Sequence, residues 1–239
     1  MPSRDGQHGM ISVDWDSVLD RLDRDGYAVT DEPLLTPVES QALQDHFDDD
    51  KGFRSTIDMA RYRFGEGSYR YYAYPLPDVV STIRYDTYPP LARLANAWSE
   101  RLGQPERYPP QLNEFLEICR LAGQCRPTPL ILRYQTDGYN ALHQDLYGEV
   151  AFPFQLTIGL SQPGVDFTGG ENLLIEQRPR AQSRGTAITL PLGHALVFPN
   201  RYRPVTAARG WSRTVMRHGV STVRSGMRYA LGVIFHDAA

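Results

Sequence analysis

Short strand-like segments separated by turn residues dominate the second half of the chain. From residue 127 onward, eight runs rich in β-branched and aromatic residues alternate with Gly, Pro and Asn. Many short strands at this spacing indicate a sandwich or barrel, and eight of them suit a double-sheet jelly roll. The predicted strands cover residues 129–134, 139–145, 152–160, 171–176, 186–190, 195–199, 213–220 and 227–235.

The first half of the chain has helical patterns instead. Residues 14–25 repeat apolar side chains at helical spacing, and Gly26 suits the C-terminal stop. A short strand follows over 27–30, and Thr36-Pro37-Val38-Glu39 predicts a helix start with a capping box. Further helices are predicted over 79–102, bent or interrupted near Pro89 and Pro90, and over 111–120. Helices first and strands later predict an α+β fold, a jelly-roll core with N-terminal helices packed on one sheet.

Composition excludes several classes of protein. The 239 residues are 41% hydrophobic and 22% charged, values of an ordinary globular chain rather than a disordered one. No apolar run approaches the roughly 20 residues needed to cross a membrane. The first residues carry acid and glycine where a secretory signal has an apolar segment, so we expect a cytoplasmic protein with no membrane partner. Cys119 and Cys125 match no zinc spacing and are interpreted as reduced thiols.

Charge is unevenly distributed along the chain. The net charge is −3, yet residues 1–50 contain 13 acids against 3 arginines, and residues 170–239 contain 10 arginines against 3 acids. A solvated face is the commonest meaning of such a distribution. It also leaves an anionic substrate or a nucleic acid open as a partner.

Two segments carry the residues of a metal site. His143-Gln144-Asp145 ends the second predicted strand, where residues two apart point to the same face and reach one metal ion. His218 lies near the end of the seventh predicted strand. Two histidines and one carboxylate are the ligand set of non-haem Fe(II) oxygenases, which leaves coordination positions open. The competing interpretations are a surface histidine beside a solvated acid, and His194 as the third ligand.

Arg228 follows His218 by ten residues. We expect the turn 224–226 to form a hairpin that sets Arg228 alongside His218. On the last strand, residues 228, 230, 232 and 234 share one face and residues 229, 231, 233 and 235 share the other. An arginine among small residues points into a cavity, and its planar fork suits a carboxylate. Taken alone, Arg228 is better interpreted as a surface arginine on an edge strand.

Several segments together resemble the Fe(II)/2-oxoglutarate oxygenase superfamily. Thr168-Gly169-Gly170-Glu171 resembles its Gly-Gly-Glu segment, and 192–198 resembles its Gly-Asp-Ala-Leu-Val-Phe strand, with His194 in place of the acid. The segment from His218 to Arg228 resembles the distal ligand and the co-substrate arginine. A bacterial family of oxygenases acting on damaged DNA is more similar still. That similarity runs through residues 64–77, 123–134, 143–149, 166–184 and 217–237.

The resemblance implies a double-stranded β-helix enzyme with Fe(II), 2-oxoglutarate and O2 as cofactors. His143, Asp145 and His218 would be the catalytic metal ligands, and Arg228 would bind the distal carboxylate of 2-oxoglutarate. Residues 132–134 followed by 142–145 also resemble AlkB-like demethylases, which assigns a co-substrate contact to Tyr134. Succinate and CO2 would be released as a substrate C–H bond is oxidised. Residues 1–120 would supply the helices and a substrate lid, and 121–239 the catalytic core, in one structural unit.

The substrate is the least determined feature. Residues 53–74 interleave arginine and tyrosine, a pattern that can stack bases, clamp a carboxylate, or simply form a strand with solvated arginines. The net charge favours a small polar, amino-acid-like or biosynthetic substrate, with alkylated nucleobases in DNA or RNA as the alternative. The pattern is also compatible with a binding protein that has a vestigial pocket and with a cupin-type metalloenzyme. Candidate substrate residues are Arg61, Arg63, Tyr72 and Arg178; His236 and the turn 178–184 have no assigned role.

Overall fold

A computed structural model describes residues 13–145 and 148–239. Within these residues the chain forms four α-helices, a short 3-10 helix (Ala60–Tyr62) and fifteen strands. The helices are α1 (Trp15–Asp25), α2 (Pro37–His46), α3 (Asp78–Arg101) and α4 (Leu112–Leu121). The strands before α4 are β1 (Ala28–Val29), β2 (Phe53–Asp58), β3 (Gly65–Glu66) and β4 (Ser68–Tyr72). The later strands are β5 (Leu130–Tyr134), β6 (Tyr139–His143), β7 (Phe154–Gly159), β8 (Phe167–Gly169), β9 (Asn172–Gln177), β10 (Arg184–Ile188), β11 (Ala195–Pro199), β12 (Tyr202–Thr206), β13 (Trp211–Val220), β14 (Val223–Gly226) and β15 (Arg228–Ile234).

Two antiparallel sheets form the core, as the predicted jelly roll requires. The major sheet has the order β1-β11-β7-β15-β5-β4-β2, and the minor sheet has the order β10-β9-β13-β6-β3 with β12 paired to β13. Strands from both sides of residue 120 therefore join the major sheet. The fold is α+β with a double-stranded β-helix core, which confirms the predicted class.

The helices cover the outer face of the major sheet. Alternate residues of β15, namely Tyr229, Leu231, Val233 and Phe235, belong to the same buried cluster as Leu91 and other apolar residues of α3. Both faces of β15 are covered, and every residue of the strand is buried. None of the helices in the described part of the chain is long and apolar enough to span a membrane.

The predicted helix boundaries are confirmed to within a residue or two. Gly26 ends α1 in the left-handed conformation at φ 83°. The Thr36 hydroxyl accepts from the backbone N–H of Glu39, whose carboxylate accepts from the N–H of Thr36 in return. The predicted interruption of α3 is wrong, because the helix runs through Pro89 and Pro90 without a break. Burial along most of its length compensates for the backbone hydrogen bonds that the prolines remove.

Three strands after residue 127 were missed in the sequence. They are β8, β12 and β14, of three to five residues each, and the first and last pair with each other outside the main sheets. Because β14 leaves β13 to pair with β8, the predicted hairpin from His218 to Arg228 is wrong. Their strands, β13 and β15, lie in different sheets, so Arg228 faces His218 across the barrel rather than along a hairpin.

A buried ion pair joins α3 to the chain segment after β15. The Arg84 Nη2 donates to the Asp237 carboxylate at 2.8 Å, and both side chains are almost fully buried. Arg84 also donates to the carbonyl oxygens of Ile234 and Phe235, and its Nη1 donates to the Tyr74 hydroxyl. That hydroxyl donates to the other carboxylate oxygen of Asp237 at 2.9 Å. This network of hydrogen bonds anchors the end of the strand that begins with Arg228.

Candidate metal centre and co-substrate pocket

Three side chains predicted as metal ligands meet inside the barrel. His143 and His218 are direct cross-strand partners on β6 and β13, and their ring centroids are 4.3 Å apart. Asp145 Oδ1 lies 3.4 Å from His143 Nε2, and Oδ2 lies 3.1 Å from His218 Nε2. The three ligand atoms all lie within 4.8 Å of one another. Two imidazole nitrogens and a carboxylate in this arrangement fit a divalent first-row metal such as Fe(II).

Hydrogen bonding orients these groups toward a common point. His143 Nδ1 lies 2.7 Å from the carbonyl oxygen of Ala141, which only accepts, so the ring proton is assigned to Nδ1 and Nε2 presents its lone pair. Burial by itself would raise the pKa of Asp145, but the two neighbouring histidines hold it well below the ordinary value. Burial likewise opposes the rise in the pKa of His143 that the nearby carboxylate of Asp145 produces. The carboxylate is therefore ionised and available as a ligand.

Gln155 supports this cluster from the major sheet and was missed in the sequence. Its Nε2 donates to Asp145 Oδ2 at 2.5 Å and lies 3.3 Å from His218 Nε2. The signal was present, since Gln155 and Thr157 are polar residues two apart in an otherwise apolar strand. Both line the cavity between the sheets. Gln155 fixes which carboxylate oxygen of Asp145 faces His218.

Arg228 lies in the same cavity, on the facing sheet. It is 3% exposed and forms no ion pair with a carboxylate of the described residues. Its Nη2 donates to Asn172 Oδ1 at 3.0 Å, and its guanidinium carbon lies 5.4 Å from the ring centroid of Tyr134, its cross-strand partner. Burial lowers the pKa of this guanidinium. A buried arginine without a carboxylate partner fits the carboxylate of a ligand.

The cavity between the sheets has a volume of about 410 Å³, the size of a small-molecule site. The predicted face of β15 is confirmed, because Arg228, Ala230, Gly232 and Ile234 all line this cavity. Tyr134 lines it too, and burial raises the pKa of its phenol to about 12, so it remains a neutral hydroxyl. The metal cluster and the arginine thus open into one shared space.

The candidate substrate residues do not all reach this space. Arg63 lines the cavity, whereas Arg61 is exposed and does not. Tyr72 is fully buried in the core behind the sheet, stacked on Phe53, so the expectation of a substrate role for it is wrong. Arg178 donates to a carboxylate oxygen of Glu176 at 2.7 Å and does not line the cavity. The expectation of a substrate role for Arg178 is therefore wrong as well.

Tyr69 and Tyr71 take the place expected for Tyr72. They pair across the strands with Leu132 and Leu130, whose side chains share the face of Tyr134. One step along a strand turns a side chain to the opposite face, so the choice among adjacent tyrosines depends on register. The pairing of β4 with β5 determines that register, and this pairing cannot be read from the sequence pattern.

Exposed aromatic residues stand at the cavity mouth. Phe64 lines the cavity and is 47% exposed, and the ring of Tyr62 stacks on it with centroids 5.6 Å apart. Both belong to the segment of interleaved arginine and tyrosine that precedes β3. A flat group that enters the cavity would therefore pass an aromatic surface.

The two other histidines of interest have structural surroundings. His194 Nδ1 lies 2.8 Å from the carbonyl oxygen of Thr30, and His194 is not part of the metal cluster found among the described residues. His236 is 1% exposed, and its Nδ1 accepts from the backbone N–H of Phe152. His236, which the sequence left without an assigned role, is thus a histidine packed in the interior.

Protonation of His236 should destabilise the fold in mildly acidic solution. Burial, assisted by the charge of Arg84, lowers its pKa from 6.5 to about 4. Between these values the unfolded chain binds a proton that the folded chain does not, so the free energy of unfolding falls as the pH drops, by about 3 kcal/mol in full. Urea unfolding at pH 7 and pH 4.5 measures the loss. In His236→Gln this contribution disappears, and an unchanged pH dependence in the variant would contradict the assignment.

Comparisons with known proteins agree with this geometry. Residues 67–238 match the family Oxygenase-NA, described as an oxygenase catalysing oxidative methylation of damaged DNA. The chain belongs to this oxygenase family. The oxygenase is also 55% identical to an uncharacterized protein of Mycobacterium tuberculosis strain H37Rv over 165 residues. That alignment covers 69% of this chain and 71% of the relative.

Solved structures share the fold of the oxygenase at low identity. A 2OG-Fe(II) oxygenase-family oxidoreductase from Burkholderia pseudomallei aligns with a TM-score of 0.55 and 15% identity, over 94% of this chain and 92% of that one. A Pseudomonas putida prolyl-4-hydroxylase aligns with a TM-score of 0.52 and 13% identity, over 94% and 100%. A Trichoplax adhaerens prolyl hydroxylase aligns with a TM-score of 0.54 and 16% identity, over 93% of this chain and 89% of that one. The expected oxygenase family and the expected fold are confirmed.

Proposed function

We propose that this oxygenase holds Fe(II) through His143, Asp145 and His218 and uses 2-oxoglutarate and O2 to oxidise a C–H bond of its substrate. One observation carries the proposal: the metal cluster faces an arginine without a carboxylate partner in the same cavity. The first feature suits iron, and the second suits the distal carboxylate of a dicarboxylic co-substrate. A binding protein with a vestigial pocket would need neither, and a cupin-type metalloenzyme would not need Arg228.

Each side chain has a role that follows from its surroundings. When bound, iron and 2-oxoglutarate supply the oxidising power, with O2 consumed and succinate and CO2 released. Arg228 holds the carboxylate of the co-substrate, and Asn172 keeps the guanidinium turned toward it. Tyr134 offers a neutral hydroxyl beside the same group. The aromatic and aliphatic walls exclude water from the reacting atoms.

For the substrate we propose an alkylated nucleobase. Asp145 is the one acid among the described residues that line the cavity, so an amino-acid ammonium group would lack a free carboxylate partner there. The remaining lining includes Met59, Phe64, Tyr69 and Tyr71, which suit a flat apolar ring. The description of the family, which refers to damaged DNA, supports the same choice over the amino-acid-like substrate favoured by net charge.

Succinate release tests both parts of the proposal. With Fe(II) and 2-oxoglutarate, we expect stimulation by a methylated single-stranded oligonucleotide, and little stimulation by the free nucleoside or by a mixture of amino acids. Stimulation by amino acids alone would instead restore the small polar substrate. Absence of succinate in every arm, with iron bound, would contradict the enzymatic assignment.

Arg228→Gln tests the co-substrate site separately. Hydrogen bonds to a charged group contribute about 1.5–3 kcal/mol, so the KM for 2-oxoglutarate should rise roughly 10- to 150-fold. The KM for the nucleic-acid substrate should change little. Arg224→Gln, which removes the same charge from an exposed position on β14, is the matched control. An equal rise in KM in both variants would show that the positive charge alone matters and that Arg228 does not contact the co-substrate directly.

A further inference from the structure

Acidic residues are absent from a long part of the chain. Between Glu176 and Asp237 there are ten arginines and no aspartate or glutamate. Two of these arginines, Arg178 and Arg203, lie against Glu176, and Arg228 belongs to the cavity. The other seven form no ion pair with a carboxylate of the described residues.

Three of the remaining arginines gather on the outer face of the minor sheet. Tyr202 pairs with Val215 across β12 and β13, so Tyr202 shares the face of Arg213 and Arg217, which alternate with the inward-facing residues of β13. Arg201 precedes Tyr202 directly. All three guanidinium groups belong to exposed residues. We call Arg201, Tyr202, Arg213 and Arg217 the arginine–tyrosine cluster.

Like charges are held close together in this cluster. The guanidinium carbons of Arg201 and Arg213 lie 4.6 Å and 4.7 Å from the centroid of the Tyr202 ring, and so at most about 9.3 Å apart. That distance is comparable with the Debye length of about 8–10 Å at physiological salt, so the two charges repel each other. None of the three arginines forms an ion pair within the described residues. A bound anion would remove this repulsion.

The cluster is connected to the metal centre. Gln144, between the ligands His143 and Asp145, donates its Nε2 to the carbonyl oxygens of Arg201 and Met216 at 3.0 Å and 2.9 Å. Arg217 directly precedes the ligand His218. Arg213 is five residues from that ligand, roughly 16 Å along the strand. The positive surface therefore begins beside Gln144 and extends along β13 away from His218.

We propose that the arginine–tyrosine cluster is a phosphate-binding surface for the single-stranded nucleic acid whose base enters the cavity. Planar guanidinium groups bind phosphate oxygens bidentately, and a half-buried aromatic ring such as Tyr202 among arginines fits a single-strand binding surface. The inference rests on the proposed nucleobase substrate for its orientation, but binding can be measured without turnover. It also explains how a chain of net charge −3 binds a polyanion, since its acids lie elsewhere in the sequence.

Fluorescence anisotropy with a labelled oligothymidylate of about ten nucleotides tests the surface directly. The variant Arg201→Gln/Arg213→Gln/Arg217→Gln should weaken binding at least ~10-fold at low salt. Each phosphate contact contributes about 0.7 to the slope of log K against log salt for single strands, so the slope should become shallower by about two. Substitution of the same three arginines by lysine should retain the slope, because the charges remain.

The matched control removes three exposed arginines from the helical side of the molecule. Arg93→Gln/Arg107→Gln/Arg120→Gln gives the same net charge and should leave both affinity and slope nearly unchanged. An equal loss in the two triple variants, or equally tight binding of polyglutamate, would overturn the proposal. So would a wild-type protein that does not bind the oligonucleotide.

The outcome is separable from that of the proposed function. Both triple variants should consume 2-oxoglutarate in the absence of nucleic acid at the wild-type rate, since the substituted side chains lie outside the cavity. Cluster-dependent binding without any succinate release would support the surface and contradict the enzymatic assignment. Succinate release stimulated equally in the wild type and in the glutamine variant would support the enzyme and overturn the surface.

Discussion

Asp145→Ala should abolish iron binding and succinate formation together. The substitution removes the anionic member of the cluster and leaves two imidazoles whose nitrogens no longer converge on a carboxylate. We expect the dissociation constant for Fe(II) to rise by at least ~100-fold, since even groups that only support metal ligands contribute about 10- to 100-fold. Isothermal titration under anaerobic conditions, with Mn(II) as a redox-stable substitute, measures the affinity independently of turnover.

His194→Ala is the informative control for that experiment. His194 was the competing third ligand in the sequence, and its ring nitrogen lies against the Thr30 carbonyl instead. Its removal should leave metal affinity within about twofold of the wild-type value, whereas His218→Ala should resemble Asp145→Ala. Loss of metal affinity in His194→Ala but not in His218→Ala would identify His194 as the third ligand and contradict the proposed site.

Arg84→Met should produce the largest loss of stability of any substitution considered. It leaves the Asp237 carboxylate almost fully buried, with the Tyr74 hydroxyl as its remaining side-chain donor. Removing one partner of a buried ion pair costs about 3–5 kcal/mol, because the other charge stays uncompensated. Urea unfolding of the apoprotein gives the free energy directly.

Two further variants separate the ion pair from the helix. Arg93→Met, on an exposed part of α3, should change the free energy of unfolding by no more than roughly 0.5 kcal/mol. Arg84→Met/Asp237→Leu should recover part of the loss, since no unpaired charge remains. A double variant as unstable as Arg84→Met would show that packing of the arginine stem, rather than its charge, stabilises this end of the molecule.

Patterns with a clear physical period were predicted well from the sequence. The capping box at Thr36, the stop at Gly26 and the alternating faces of β15 depend on local chemistry, and all three are confirmed. Features that depend on strand pairing were not predictable in this way. Sheet membership decided the position of Arg228 opposite His218, and the register of β4 decided that Tyr71 rather than Tyr72 faces the cavity.

Very short strands form the other class of error. The segments β8, β12 and β14 contain Gly, Pro or Arg and have no clear alternation, because their pairing partners rather than their own propensities make them strands. The contacts of Arg84 with Asp237 and of Gln155 with His218 were likewise unpredictable, since the two residues of each pair are more than 60 positions apart in the chain. The candidate metal cluster was predictable because two of its members, His143 and Asp145, are only two positions apart in the chain.

The two histidines of the candidate metal cluster and Arg228 belong to opposite sheets. The distance between the sheets would therefore limit the length of a dicarboxylic acid that binds to both. Facing sheets pack about 10 Å apart, and a packed core keeps that spacing nearly constant. A dicarboxylic acid that binds at both ends must therefore match a span set by the barrel itself, independently of any one side chain. Diacids one carbon shorter or longer would satisfy one end and miss the other. Under the proposed function, we expect the selection of the co-substrate to be a property of the fold as much as of the pocket.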